Sequence, residues 1–151
     1  MLRRVIVCAL LSSAIAADAC AGSGMELQDG AYEVTVRLEL PHLEQWATKR
    51  TTTICLPGPQ TTGSLPLPVL SQNNPLAKCP ATNVDREGGD LTFSIVCEGR
   101  EAARAHAVYA LSPREFKGRI LMIMGGKNMV MTEVQAGRRI GECTLPARPH
   151  P

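Results

Sequence analysis

The chain has 151 residues, of which 20% are charged and 3% aromatic, and a formal net charge of +2. That length makes one ordinary domain. The near-neutral mixture of signs excludes a polyanion or nucleic-acid footprint, and so few aromatics exclude stacking platforms for bases or sugars.

The chain opens "MLRRVIVCALLSSAIAADAC". Arg3 and Arg4 precede an apolar run from Val5 to Ala17, and Ala17-Asp18-Ala19 fits a small-x-small cleavage site. Residues 1–19 therefore read as a secretory signal peptide, too short for a spanning helix. Removing them takes away two arginines and one aspartate, leaving 132 residues and a charge of +1. Cys20 then has two readings. As the lipidated first residue of a lipoprotein it would anchor the protein to a membrane. However, Ala17 and Asp18 stand where such signals carry a branched aliphatic and a small residue. Otherwise Cys20 is a spare thiol in a flexible N-terminus (20–26), or leaves with cleavage after Ala21. The expected location is periplasmic or secreted, or membrane-anchored if Cys20 is lipidated.

A single domain is expected over 27–145. "GAYEVTVRLELP" alternates, with Tyr32, Val34, Val36, Leu38 and Leu40 facing one way and Glu33, Thr35, Arg37 and Glu39 the other, as in a half-buried strand. The Thr-rich "ATKRTTTIC" is a second strand ending at Cys55. Residues 56–79 form an irregular Pro-rich loop, in which "PLPVLSQNNPLA" has room for one helical turn. "ATNVDR" and "DLTFSIVCE" make a hairpin around Gly88 and Gly89, with Leu91, Phe93, Ile95 and Cys97 on one face. "ARAHAVYAL" reads as a strand with Ala103, Ala105, Ala107, Tyr109 and Leu111 on one face; helix is the alternative for its Ala and Glu content. "FKGRILMIM" and "MVMTEVQA" are two further strands, "GRRIGEC" ends at Cys143, and 146–151 is a disordered tail.

Cys8 leaves with the signal, so Cys55, Cys79, Cys97 and Cys143 remain, an even number in an exported chain. A three-residue hairpin loop, Glu87 to Gly89, would pair Arg86 with Asp90 and set Cys79 opposite Cys97, within disulfide reach. Cys55 then pairs with Cys143 by elimination. The expected fold is all-β: an antiparallel meander of about seven strands, curled into a partly open barrel or a sandwich, with two disulfides.

Chemistry is sparse. His42, His106 and the tail's His150 lie in no catalytic motif, and neither Glu33 nor Asp90 has spacing that marks a general base. Arg138 and Arg139 beside Glu142 read as a solvated strand end, with anion binding as the alternative. No catalytic residue and no cofactor is expected. "LMIMGGKNMVM" holds four of the six methionines. A two-residue turn centred on Gly126-Lys127 sets Met124 opposite Met129 and Met122 opposite Met131, so all four thioethers share one face. They can be core filler, a contact face for a ligand or partner, or a soft Cu(I) site. The opposite face, with Leu121, Ile123 and Val130, is also apolar, so whichever face is not core needs a cover: the Pro-rich loop, a lipid or ligand, or another protein.

"LQDGAYEVTVRLELP", "CLPGP", "CPATNVDREGGDLTFSIVCEG", "FKGRILMIMGGKNMVMT" and "GRRIGEC" follow one another in this order. Together they resemble the bacterial exported proteins grouped as domain-of-unknown-function family 3617, over Leu27 to Cys143. Tyr32 departs from the Trp expected there. The resemblance implies a periplasmic or cell-surface β protein and no particular activity. The function expected is a non-catalytic binding or scaffolding domain for an apolar small molecule, a lipid or a protein partner. The alternatives are periplasmic copper(I) handling by Met122, Met124, Met129 and Met131, and an uncharacterised envelope enzyme.

Overall fold

The computed structural model of the protein describes residues 26–43, 47–56, 66–99, 102–125 and 129–143. The expected signal sequence, Cys20, the "GKN" of the methionine hairpin and the C-terminal tail with His150 lie outside them.

Seven strands form: β1 (Gly30–Glu39), β2 (Lys49–Leu56), β3 (Ala81–Glu87), β4 (Asp90–Cys97), β5 (Ala103–Ser112), β6 (Glu115–Met124) and β7 (Met129–Gly141). All pair antiparallel in one open sheet of order β2-β1-β7-β6-β5-β4-β3. Strands β3 to β7 are the expected meander, and the β1–β2 hairpin docks onto β7 rather than beside β3. "EAARAHAVYAL" gives a strand, not a helix, because its alternation puts Ala103, Ala105, Ala107, Tyr109 and Leu111 into the core and Arg104, His106 and Val108 outside. Among the described residues there is one sheet, not the two of a sandwich, and β2 and β3 do not pair, so the sheet stays open.

The strand order explains how an open sheet buries its inner face. β2 and β3 are consecutive in sequence but occupy opposite edges. The chain between them must cross six strand spacings of about 4.8 Å, roughly 29 Å. Its described part lies over the inner face. Leu67, Val69 and Leu76 from this crossing are fully or nearly buried against Tyr32, Val34, Val36, Phe93, Tyr109, Phe116, Ile120 and Met122 of the sheet. One short 3-10 turn, Pro75–Lys78, punctuates it; Asn74 caps that turn by accepting from the Leu76 N–H.

The inner face is packed to contact by leaving out side chains. Gly118 lies opposite Tyr109, and Gly137 opposite Phe116. A Cβ on Gly118 would sit 2.1 Å from the Tyr109 ring, and one on Gly137 would sit 2.2 Å from the Phe116 ring. The two rings lie over the glycine backbones and meet edge-on, with centroids 6.0 Å apart.

Both disulfides are present, Cys79–Cys97 and Cys55–Cys143, with Cα separations of 5.3 and 5.6 Å. The β3–β4 hairpin reaches its disulfide by a different route from the expected one. Glu87 pairs with Asp90 across a two-residue Gly88-Gly89 turn, and Arg86 pairs with Leu91, not Asp90. The register then shifts by one residue between Thr82 and Asp85, where Asn83 has φ 51°. This bulge absorbs the residue expected in the turn and restores the pairing that brings Cys79 to Cys97.

Candidate functional site

The inner end of β7 carries "MTEVQA", with Met131, Glu133 and Gln135 in phase on the core side. Glu133 and Gln135 are almost completely buried. The crossing segment Pro66–Cys79, hereafter the strap, is fastened to them. Glu133 Oε1 and Oε2 accept from the backbone N–H groups of Leu70 and Ser71, each at 2.8 Å. Gln135 Nε2 donates to Glu133 Oε1 at 2.6 Å and to the Pro68 carbonyl at 2.8 Å. Tyr109 Oη donates to Gln135 Oε1 at 3.1 Å. Burial, and then the negative charge of Glu133, push the Tyr109 phenol well above its ordinary value, so it remains a donor. Further along, Asn74 Nδ2 donates to Ser71 Oγ at 2.8 Å and to Met122 Sδ at 3.1 Å. Among the described residues no buried side-chain nitrogen or oxygen lacks a partner. The strap thus runs from β7 over β6 towards β4, where Cys79 joins Cys97.

The methionines take the expected register, Met122 opposite Met131 and Met124 opposite Met129. Their face is the inner one. Met122 is completely buried, Met124 and Met131 pack half-buried against the core, and Met129 is exposed at the sheet's end. The Pro-rich segment is the cover of this face. On the other side Leu121 and Val130 are 46% and 38% exposed, next to Val96 at 44% and Val108 at 48%. Val96, Arg104, Ile123 and Val130 form one row across β4, β5, β6 and β7. A half-open cavity of about 350 Å³ lies at that end, lined by Val96, Cys97, Ala102, Ala103, Arg104, Ile123 and Gly125.

The remaining sequence candidates are dispersed. His106 is exposed on the outer face, between Ser94 and Leu121, and His42 lies in the turn after β1 with φ 64°. Glu33 pairs with Arg138 across β1 and β7 at 3.4 Å, and Asp90 starts β4 at the surface. Arg138 and Arg139 point to opposite faces: Arg139 donates from Nε to the Asp29 carbonyl at 2.8 Å and pairs with Glu142. Among the described residues no three His, Cys, Asp or Glu side chains gather as metal ligands, and no helix is long and apolar enough to cross a membrane. Sequence reasoning passed over Glu133, Gln135 and Asn74. The signal for the first two was available: they share parity with Met129 and Met131, so polar residues stood on a core face.

Fold and site together define an all-β domain on a two-disulfide frame, whose single sheet is covered by a strap latched to a buried carboxylate. The chain belongs to the family described as protein of unknown function DUF3617, whose model matches residues 27–143. No curated protein and no solved structure matches it.

Proposed function

We propose that this protein is an exported, non-catalytic binding domain for an apolar small molecule or lipid, taken up at the inner face of the sheet. The supporting observation is that this broad apolar face is covered by a strap of irregular backbone, attached through side chains and not through a strand ladder. The signal-like N-terminus and the two disulfides support export into an oxidising compartment. Native mass spectrometry of gently purified protein tests the reading: copurified apolar mass is expected, and a clean apo mass in every preparation would count against it.

On the outer face, the row of Val96, Ile123 and Val130 with the neighbouring Leu121 favours a second reading, docking or scaffolding with a protein partner through that patch. Leu121→Lys and Val130→Lys would then abolish partner recovery from extracts while leaving the melting temperature unchanged. A cuprous site at Met124, Met129 and Met131 rests on their shared face alone, since the Met122 sulfur is already hydrogen-bonded to Asn74. Titration with Cu(I) under reducing conditions decides it: no affinity tighter than about micromolar removes it.

A further inference from the structure

The strap is built like an internal ligand. Leu67, Val69 and Leu76 supply apolar side chains to the sheet, while two successive backbone N–H groups, those of Leu70 and Ser71, supply the donors that the Glu133 carboxylate needs. Its own backbone bonds are those of the single 3-10 turn and its ends, where the Ala77 N–H donates to the Asn74 carbonyl and the Cys79 N–H to the Leu76 carbonyl. The covalent frame sits at its flanks. Cys55 of β2 is tied to Cys143, and Cys79, which ends the strap, is tied to Cys97. Neither disulfide crosslinks residues 66–78 to the sheet, so within that stretch the hold on the strands is non-covalent.

Lifting it has a chemical consequence. Glu133 is completely buried, and all three of its hydrogen-bond partners are donors: the Leu70 and Ser71 amides and Gln135 Nε2. Two of the three leave with the strap. A buried carboxylate stripped of donors is strongly disfavoured. Whatever replaces the strap must therefore bring an apolar chain for the space of Leu67, Val69 and Leu76, and N–H or O–H donors for Glu133. A second carboxylate would face the charge of the first.

We propose that the strap is a lid latched by Glu133, and that the site beneath it selects apolar chains with an amine or amide head group over those with a carboxylate head. The inference rests on the reading of the inner face as a binding site and adds its ligand class and its gate. Leu67, Val69 and Leu76 mark the path of the chain; Glu133, with Gln135 and Tyr109 behind it, receives the head group.

The test uses the full mature protein with both disulfides formed. Dodecylamine and dodecanoate are titrated calorimetrically below their micelle concentrations at neutral pH, and hydrogen exchange is followed at the Leu70 and Ser71 amides. Dodecylamine is expected to bind at least about tenfold tighter than dodecanoate and to speed exchange at both amides. Glu133→Gln, which removes the charge, is expected to bring the two affinities within about threefold. If Glu133→Gln does not fold, Asn74→Ala serves. It removes the strap's contact to Met122 and its internal bonds to Ser71 and the Leu76 N–H, keeps Glu133, and is expected to raise dodecylamine affinity several-fold. Equal binding of the two chains overturns the head-group selection and leaves the apolar-binding reading standing. Amine binding with Leu70 and Ser71 still protected overturns the lid. Absence of binding by either chain, with both amides opening only on global unfolding, overturns the lid and the binding reading together.

Discussion

At the residue scale the inner face depends on two absences as much as on its aromatics. Gly118 and Gly137 give Tyr109 and Phe116 the space above the neighbouring strands, and both rings are almost fully buried there. A methyl group at either position has no low-energy place to go, because the atom it meets is a packed ring and not the end of a flexible chain. Gly118→Ala and Gly137→Ala are each expected to cost about 1–3 kcal/mol, as overpacking does. Urea denaturation monitored at the two tyrosines measures this; a change below about 0.5 kcal/mol would mean that the rings move aside freely. The glycines were visible in the sequence as "FKGR" and "QAGR", yet nothing in their neighbours reveals their partners. The pairing of Gly118 with Tyr109 is a matter of cross-strand register. Glu133 and Gln135 were legible only in part: their parity with Met131 placed them on the core side, but their partners come from a strap more than sixty residues away.

At the scale of elements, alternation predicted the strands well. β1, β4 and β5 carry the faces that period-two reading assigns, because each has one dry and one wet side. β7 runs on to Gly141, past the expected end at Ala136, since it has two neighbours: Glu115 to Met124 of β6 along one side and Ala31 to Glu39 of β1 along the other. The β3–β4 hairpin shows that two local errors can cancel. A shorter turn and a bulge at Asn83 deliver Cys79 to Cys97 as surely as the three-residue loop would have. The two disulfides differ in what they close, with sequence separations of 18 and 88. On loop-closure entropy alone they are worth about 3 and about 4.5 kcal/mol. The Cys55→Ser/Cys143→Ser variant should therefore lose more stability than Cys79→Ser/Cys97→Ser, by about 1–1.5 kcal/mol in chemical denaturation. The reverse order would indicate that anchoring the end of the strap matters more than loop length.

At the scale of the whole molecule, strand order decides which parts meet. A simple seven-strand meander would have left the Pro-rich segment as a surface loop and one apolar face bare. Sending β1 and β2 to the far edge obliges the connection to cross the sheet, and the crossing becomes the cover. The same scale sets a thiol count for the mature protein that the proposed export would leave. Of the six cysteines, four are bonded and Cys8 would leave with the signal expected over residues 1–19, which leaves Cys20. Mass spectrometry with thiol labelling on protein recovered from the envelope is expected to find cleavage after Ala19 and a single reactive thiol. An acylated N-terminal Cys20 in the membrane fraction would instead identify a lipid anchor, and a chain retaining residues 1–19 would refute export through this signal.

The determinants that are local in the chain could be read from the chain. They are the faces of β1, β4 and β5, the place of the hairpin at Gly88 and Gly89 though not its exact turn, the methionine register expected from a turn at Gly126-Lys127, and the even set of four cysteines, because each depends on spacing over a few residues. The sequence by itself therefore determined the strand content, the disulfide pairs and the dry sides of β1, β4 and β5. Tertiary structure alone decided that β1 pairs with β7, that the Pro-rich strap covers the methionine face, and that Glu133 holds it. Those contacts join segments far apart in sequence, and their energy comes from burying one surface against another, which no local pattern records.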